Sequence, residues 1–541
     1  MTRIDREFEY VIVGGGSAGC VLANRLSEDP SVTVCLLEAG PPDTNPLIHI
    51  PAGMLWLMRS KVLNWQFHTQ PEAALAGRRL YWPRGRTLGG SSAINAMCYT
   101  RGHASDYDAW AQAGNPGWSF KDVLPYFKRA EDNANGASAF HGAGGPLHVT
   151  TFPSPSPITQ AYIAAGVQAG FPLNHDFNGA EQEGVGVYQV TQKRGLRWSA
   201  ARAYLGPARQ RPNLTILTRA HAHRVLLTGQ RATGVRFQHG SQVRELTARR
   251  EVLLCAGAVQ SPQLLMLSGI GPAAHLRAHG IEVQVDLPGV GQNLQDHLDV
   301  MVTHEGRRAL SNGLTWRNIV KGPWALLQLL LAGKGMLTNN GAEGCGFIKS
   351  APTEPIPDLQ FHFMPARLRD HGRDLGFMTK EGFSMHVCFL RPHSRGQITL
   401  HSADPHAPPR IEANYLDHPE DIDKLVLGIR QIRRIFASPA MDADRGAEIT
   451  PGPAVQTDAQ LREHIRAHAE TIYHPVGTCK MGDDASDPSH VVDSALRVHG
   501  VQGLRVVDAS VMPTLIGGNT NAPVIMMAEK AADLIRAAAV H

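Results

Sequence analysis

The chain has 541 residues, 43% of them hydrophobic, with 52 Lys and Arg against 48 Asp and Glu for a net charge of +4. That length exceeds one ordinary hydrophobic core, so two connected domains with room to bury a large cofactor are expected. The basic residues are scattered, with no stripe interleaved by aromatics, which argues against nucleic acid as a partner.

Seven cysteines, at positions 20, 35, 98, 255, 345, 388 and 479, are odd in number and free of any CxxC pair. This is the pattern of reduced thiols in a cytoplasmic protein rather than of a disulfide frame or a zinc site. The start of the chain, MTRIDREFEY, carries charges of both signs and runs into a strand, without the apolar core of a secretory signal.

Residues 8 to 40, FEYVIVGGGSAGCVLANRLSEDPSVTVCLLEAG, read as strand, glycine turn, amphipathic helix and strand. Gly14, Gly16 and Gly19 form G-x-G-x-x-G at the helix start, where missing side chains permit a tight turn and let backbone N–H groups approach a diphosphate. Glu38 closes the next strand about 20 residues on, placed to accept hydrogen bonds from ribose hydroxyls and to disfavour a 2′-phosphate. Nicotinamide and flavin enzymes share this fingerprint, so it does not choose between them. In GRTLGGSSAINAMCYTRG, Gly85 to Gly102, the run Gly89 to Ser92 reads either as a loop passing close to a flat ring, with Asn95 next to it, or as an ordinary glycine turn.

Further strands are expected at Leu214–Leu217, Arg250–Cys255 and Leu504–Val507, and GAVQSPQLLMLSGIG joins a strand to a helix. The run PWALLQLLLAG, Pro323 to Gly333, has about half of the roughly 20 apolar residues of a spanning helix. A helix of this length reads as facing the core or forming a lid, while Trp316, Arg317, Lys321, Trp324 and Lys334 around it leave a membrane-interface placement open. DLQFHFMP, SMHVCFLRP and GQITLHS read as antiparallel strands of a second domain, AETIYH as a helical or loop lead-in, and NAPVIMMAEKAADLIRAAA as a long C-terminal helix. In YHPVGTCKMG, Tyr473 to Gly482, His474 has three readings: a metal ligand beside Cys479, a satisfied core residue or a proton-transfer catalyst. A metal needs a closed ligand set, and His464 and His468 lie in an EHIRAHAE context that suits a solvated helix face, so no metal is expected. His297, in LQDH, reads as structural.

Together these stretches resemble the glucose–methanol–choline (GMC) oxidoreductases. Gly85, Arg86, Leu88, Gly89, Gly90, Ser91, Ser92, Ile94 and Asn95 meet the first family signature. Gly257, Ser261, Pro262, Leu264, Leu265, Ser268, Gly269, Ile270 and Gly271 meet the second. HGAGGPL, GVGQNLQDH, HPVGTCKMG, RVVDASVMP and GNTNAP extend the likeness along nearly the whole chain. The resemblance implies an α/β fold (α+β overall), with a Rossmann-like FAD-binding domain from 1–155, 195–300 and 465–541 and an interleaved substrate-binding domain, an antiparallel sheet with helices, from 156–194 and 301–464.

It further implies FAD and oxidation of an alcohol by hydride transfer. The nucleotide contacts carry over to Gly14, Gly16, Ser17, Ala18, Gly19, Glu38 and Ala39, with an adenine contact near Ala222. The isoalloxazine-side contacts carry over to Arg86, Gly90, Asn95, Ala96 and Met97, and the pyrimidine end to Asp508, Ala509, Asn519, Thr520 and Asn521. Ile94 stands where some members carry the histidine that bonds the flavin, so FAD is expected to be non-covalent. His474 matches the catalytic base and Asn519 the residue that orients the substrate oxygen, a role neutral imidazole can fill near neutrality.

Within the family the chain is most similar to choline-dehydrogenase-like enzymes and the membrane-associated alcohol dehydrogenases of alkane degradation. The subgroup implies a primary aliphatic or aromatic alcohol as substrate, a quinone-type electron acceptor, and a cytoplasmic protein that can sit peripherally on the inner face of the cell membrane. Choline oxidation, with Glu343 as a carboxylate for the quaternary ammonium, and oxidase chemistry with O2 remain alternatives. A flavin lyase or photoenzyme and an FAD-stabilised binding protein are the alternatives of other classes; neither needs the His474 and Asn519 pair.

Overall fold

The computed structural model describes residues 7–539. The start of the N-terminal stretch read as lacking a secretory signal lies outside the described residues. Two seven-stranded sheets organise the chain. The first runs in the order Leu214–Thr218, Val34–Glu38, Glu7–Val13, Gln242–Leu254, Arg231–His239, Ala220–Thr228, with Leu504–Val506 beside the end of Gln242–Leu254. Its Val34–Glu38, Glu7–Val13 and Leu214–Thr218 pairings are parallel. The sequence accounts for this: VCLLE is buried at every residue, the continuous apolar run of a strand covered on both faces.

The second sheet is antiparallel, in the order Arg445–Thr450, Leu298–Gly306, Gly382–Phe389, Leu359–Met364, Gly344–Ile348, Gly184–Val187. Period-two alternation divides its residues. Phe361, Phe363, Phe383, Met385 and Val387 join one hydrophobic core, while His362, Met364 and His386 line a large cavity on the other side. The helix Pro419–Phe436 covers the core face with Ile422, Leu425, Val426, Ile429 and Ile432, the i, i+3, i+4, i+7 stripe of an amphipathic helix. At roughly 1.5–3 kcal/mol per buried side chain, this stripe contributes on the order of 10 kcal/mol before conformational entropy is counted. Gly428 permits the approach, because a Cβ there would lie 2.6 Å from a Val387 methyl.

Several expectations need correction. Gln397–Thr399, from GQITLHS, pairs only with Arg410–Glu412 in a separate ribbon. Glu470–Thr471, in AETIYH, is a short strand on the second sheet, so the change of sheet lies beyond the expected boundary at 464/465. The boundary at 300/301 falls inside the strand Leu298–Gly306. The helix Gly322–Ala332 does not face a core. Only its Ala325 and Leu329 are buried, whereas Leu330 is 71% and Leu331 78% exposed. An apolar run on all faces reads as buried by composition, but one narrow stripe of this helix suffices for its packing.

The C-terminal helix Asn521–Ala538 is fixed by one buried carboxylate. Glu529 is fully buried and accepts from Arg25 (2.8 and 2.9 Å), Arg129 (2.8 Å) and the Tyr204 hydroxyl (2.8 Å). It thereby joins the helices Ser17–Leu26 and Phe120–Ala130 to the chain's end. Glu529→Ala should cost about 2–3 kcal/mol, below the roughly 3–5 of a fully buried pair, because both arginines keep partial access to water. The urea midpoint of the FAD-loaded protein measures this, and an unchanged midpoint would remove Glu529 from the account.

Candidate active site

A cavity of about 520 Å³ runs from the glycine turn after the first strand to the inner face of the second sheet. At its nucleotide end Gly14 has φ +104°, and a Cβ there would lie 2.5 Å from the Cys255 carbonyl oxygen. Gly90, with φ +51°, backs onto this turn so closely that a Cβ would be 2.7 Å from Gly16 Cα. The two glycine loops of the sequence therefore meet. The helices Ser17–Leu26 and Asn521–Ala538 both open here without a side-chain cap, joined by a 2.7 Å bond from Ser17 Oγ to Asn521 Oδ1. Uncapped first-turn N–H groups are a ready anion site, which fits the diphosphate of a dinucleotide.

Glu38 faces the same turn, accepting from the N–H groups of Gly15 (2.9 Å) and Gly40 (2.7 Å). Burial pushes its carboxyl up to about 7 despite those bonds. Asp508 uses both oxygens within the protein, accepting from Gly257 N–H (2.8 Å), Ser261 Oγ (2.5 Å) and Ser510 N–H (2.8 Å).

At the other end stands His474, buried and placed by a chain of hydrogen bonds. His297 Nε2 lies 3.0 Å from the Leu390 carbonyl oxygen, an obligate acceptor, so Nε2 carries the proton and Nδ1 the lone pair. His474 Nδ1, 3.0 Å from that lone pair, must donate to it. The lone pair of His474 is thereby assigned to Nε2. Asn519 confirms the direction: its Oδ1 accepts from Thr100 Oγ1 (3.3 Å) and Gln360 Nε2 (3.1 Å), leaving Nδ2 to donate to His474 Nε2 at 3.1 Å.

The backbone of His474 is held as firmly. Its N–H donates to Asp296 Oδ1 at 2.7 Å, and Asp296 Oδ2 accepts from Tyr415 and Thr471. Burial raises the Asp296 carboxyl to about 6 against these bonds. Burial, then the neighbouring imidazoles of His297 and His362 and the Arg84 guanidinium, holds His474 well below the ordinary imidazole range, so it is neutral at pH 7. Arg84 Nη2 donates to the Tyr473 carbonyl at 2.6 Å, and Tyr473 has a left-handed φ of +70°.

Most of the residues anticipated from sequence line this cavity: Gly14, Gly16, Ser17, Ala18, Glu38, Ala39, Gly90, Asn95, Ala96, Met97, Ala222, Asp508, Ala509, Asn519, Thr520, Asn521 and His474. Gly19 and Arg86 do not line it. Gly19 is a packing residue, its absent Cβ leaving room for the Gly14 carbonyl, and Arg86 stacks on Trp65 at 4.6 Å while Arg84 takes the lining position. Glu343 is outside the lining as well. Its oxygens are taken by Ser156 N–H (2.7 Å), Thr159 Oγ1 (2.6 Å), Asn312 Nδ2 (2.9 Å) and Asn339 Nδ2 (2.5 Å).

Sequence reasoning missed a polar wall on the second sheet. Asp299 Oδ2 accepts from His386 Nδ1 at 2.5 Å and Oδ1 lies 3.2 Å from His371 Nε2, while His371 Nδ1 meets the Tyr473 hydroxyl at 2.8 Å. Burial works to raise the Asp299 carboxyl, but the two imidazoles carry it well below the usual carboxylate range. Asp299 and His386 come from the paired strands Leu298–Gly306 and Gly382–Phe389, while His371 comes from the short turn Asp370–Gly372, so the wall forms only in the folded chain, out of reach of a motif search.

Comparison with known proteins shows the family. The sequence matches the family described as GMC oxidoreductase over residues 8–299 with its N-terminal part and 392–528 with its C-terminal part. It is 51% identical to the alcohol dehydrogenase [acceptor] of Pseudomonas putida, over 98% of this chain and 95% of that one. It is 46% identical to an oxygen-dependent choline dehydrogenase of Sinorhizobium fredii, over 97% and 95%. Among solved structures, pyridoxine 4-oxidase from Mesorbium loti superimposes with a TM-score of 0.88 at 33% identity, covering 99% of both chains. With both signatures folded around one cavity and both parts of the family matched, the chain belongs to the GMC oxidoreductases.

Proposed function

We propose that the chain is an FAD-dependent alcohol dehydrogenase that oxidises a primary aliphatic or aromatic alcohol to the aldehyde. The observation that carries this reading is the neutral His474, whose Nε2 lone pair faces Asn519 Nδ2 at the far end of a cavity suited to a dinucleotide. Bound in that cavity, FAD supplies the hydride acceptor. The chain's own residues prepare the alcohol. Its hydroxyl enters between His474 and Asn519, donating to Nε2 and accepting from Nδ2, so proton removal and orientation act on the same oxygen. The imidazolium formed there keeps its Nδ1–H bond to His297, and the charge of Asp299 favours it.

The outer cavity supports an uncharged substrate. Met54, Leu55, Trp56, Leu314, Met364 and Leu368 line it. A quaternary ammonium calls for a free carboxylate or an aromatic cage. Glu343 is saturated by hydrogen bonds and Asp299 by two imidazoles, so neither is free. The choline dehydrogenase at 46% identity keeps choline as the second reading.

A quinone-type acceptor and a peripheral position on the inner membrane face belong to the same proposal. Their support is the exposed patch of Trp316, Val320, Trp324, Leu330 and Leu331, flanked by Arg317, Lys321 and Lys334. Ile319 and Gly322 of this segment line the cavity, so its mouth lies beside an apolar surface with a basic border. Among the described residues no helix is long and apolar enough to cross a membrane.

His474→Ala should retain FAD and lower turnover by roughly 10²–10⁴-fold, the usual range for a general base; unchanged steady-state turnover would remove His474 from the mechanism. In anaerobic mixing, 1-octanol and benzyl alcohol should bleach the flavin absorbance and choline should not. Recovery on addition of a soluble quinone but not of air identifies a dehydrogenase, whereas rapid recovery in air identifies an oxidase. The Leu330→Asp, Leu331→Asp double variant should keep turnover of a short soluble alcohol and lose co-sedimentation with anionic lipid vesicles; equal sedimentation of variant and wild type would refute the interface.

A further inference from the structure

We infer that His221, His223 and His406 form a binding site for one divalent transition-metal ion of the zinc class, clear of the reacting end of the cavity. One ring nitrogen of each residue lies within 4.8 Å of those of the other two. The sequence carries the signal as H-x-H on a strand, Ala220–Thr228, where alternate side chains share a face. The pairing of this strand with Arg231–His239 shifts register between Ala222 and Arg224, an irregularity centred on His223. His406 comes from the loop before Arg410–Glu412, where Asp404 Oδ1 accepts the His406 N–H at 2.9 Å and Gln263 Nε2 donates to the Ala407 carbonyl at 2.9 Å.

The rings stand nearly edge to face, with centroids 4.8, 5.1 and 5.9 Å apart, so nitrogens rather than ring faces converge. His221 Nδ1 and His406 Nδ1 are 3.1 Å apart, close to the edge of about 3.3 Å between two nitrogens each about 2.0 Å from a tetrahedral zinc ion. One N–H···N bond can satisfy that pair, but His223 Nε2 is buried with no hydrogen-bond partner. A cation accepts all three lone pairs at once. Among the described residues no carboxylate is hydrogen-bonded to any of the three rings.

His221 and Pro405 line the cavity beside Ala222. An ion there ties a strand of the first sheet to the loop that carries Pro405 and His406, closing the cofactor cavity from outside. The role is structural, since none of the three histidines is hydrogen-bonded to His474 or to the partners that orient it.

The test uses untagged, FAD-loaded protein stripped with a chelator and titrated with zinc sulfate at pH 7.5, read by calorimetry and by metal content per chain. The wild type should take up about one equivalent, and His406→Ala, a surface change, should weaken that equivalent at least about tenfold with FAD content and turnover unchanged. Zinc should also raise the unfolding midpoint of the wild type and leave that of His406→Ala where it is. Uptake by the wild type no tighter than by the variant, or equal midpoint shifts in both, would overturn the site.

Discussion

The centre depends on one carbonyl group. Leu390 C=O can only accept, so it sets the proton on His297 Nε2, and His297 in turn sets the proton on His474 Nδ1. Two imidazoles that could each exist in two tautomers are reduced to one arrangement, and the free lone pair emerges where Asn519 waits. Leu390 follows the strand Gly382–Phe389, so the second sheet decides the protonation pattern of a histidine that the chain supplies from near its C-terminus.

Burial gives this arrangement its chemistry and makes it costly to build. It holds His297 at about 3 and His474 far below the ordinary range, so both are neutral where solvent-exposed histidines would be partly charged. The same burial penalises the carboxylates that support the backbone, as the rise of Asp296 to about 6 records. The penalty is met by three donors on Asp296 and two imidazoles on Asp299, which is why the polar wall is dense. Gradual protonation below the ordinary histidine range favours the unfolded chain, whose imidazoles accept protons that the folded ones refuse.

What the sequence made legible follows from the range of the interactions. The nucleotide end is local: a strand, a turn that requires Gly14 and a helix start lie within some twenty residues, and the approach of Gly90 is foreshadowed by a second glycine run. His474 and Asn519 were legible only through the family resemblance, since neither has a local signal that separates a base from a packed histidine. The partners of His474 were illegible. His297 looked like an isolated residue in LQDH, and its function depends on a carbonyl 93 positions away. Asp299, His371 and His386 carry no motif and meet through strand register for two of them and a turn that delivers the third. The exposed helix was misread because composition reports how apolar a segment is and not how much of it finds a partner.

Glu343 has a consequence for how such a protein can diversify. One oxygen of this buried carboxylate holds both Asn312 and Asn339, which close the stem of the segment bearing the exposed helix, while its other oxygen holds Ser156 and Thr159. The segment is thus an excursion pinned at its base, and the pin is independent of the bonds that orient His474. Lengthening, shortening or recolouring that excursion alters what reaches the cavity mouth and which surface it rests on, while the proton-accepting centre stays as it is. The architecture separates two evolutionary variables, reach and reactivity, at a single side chain.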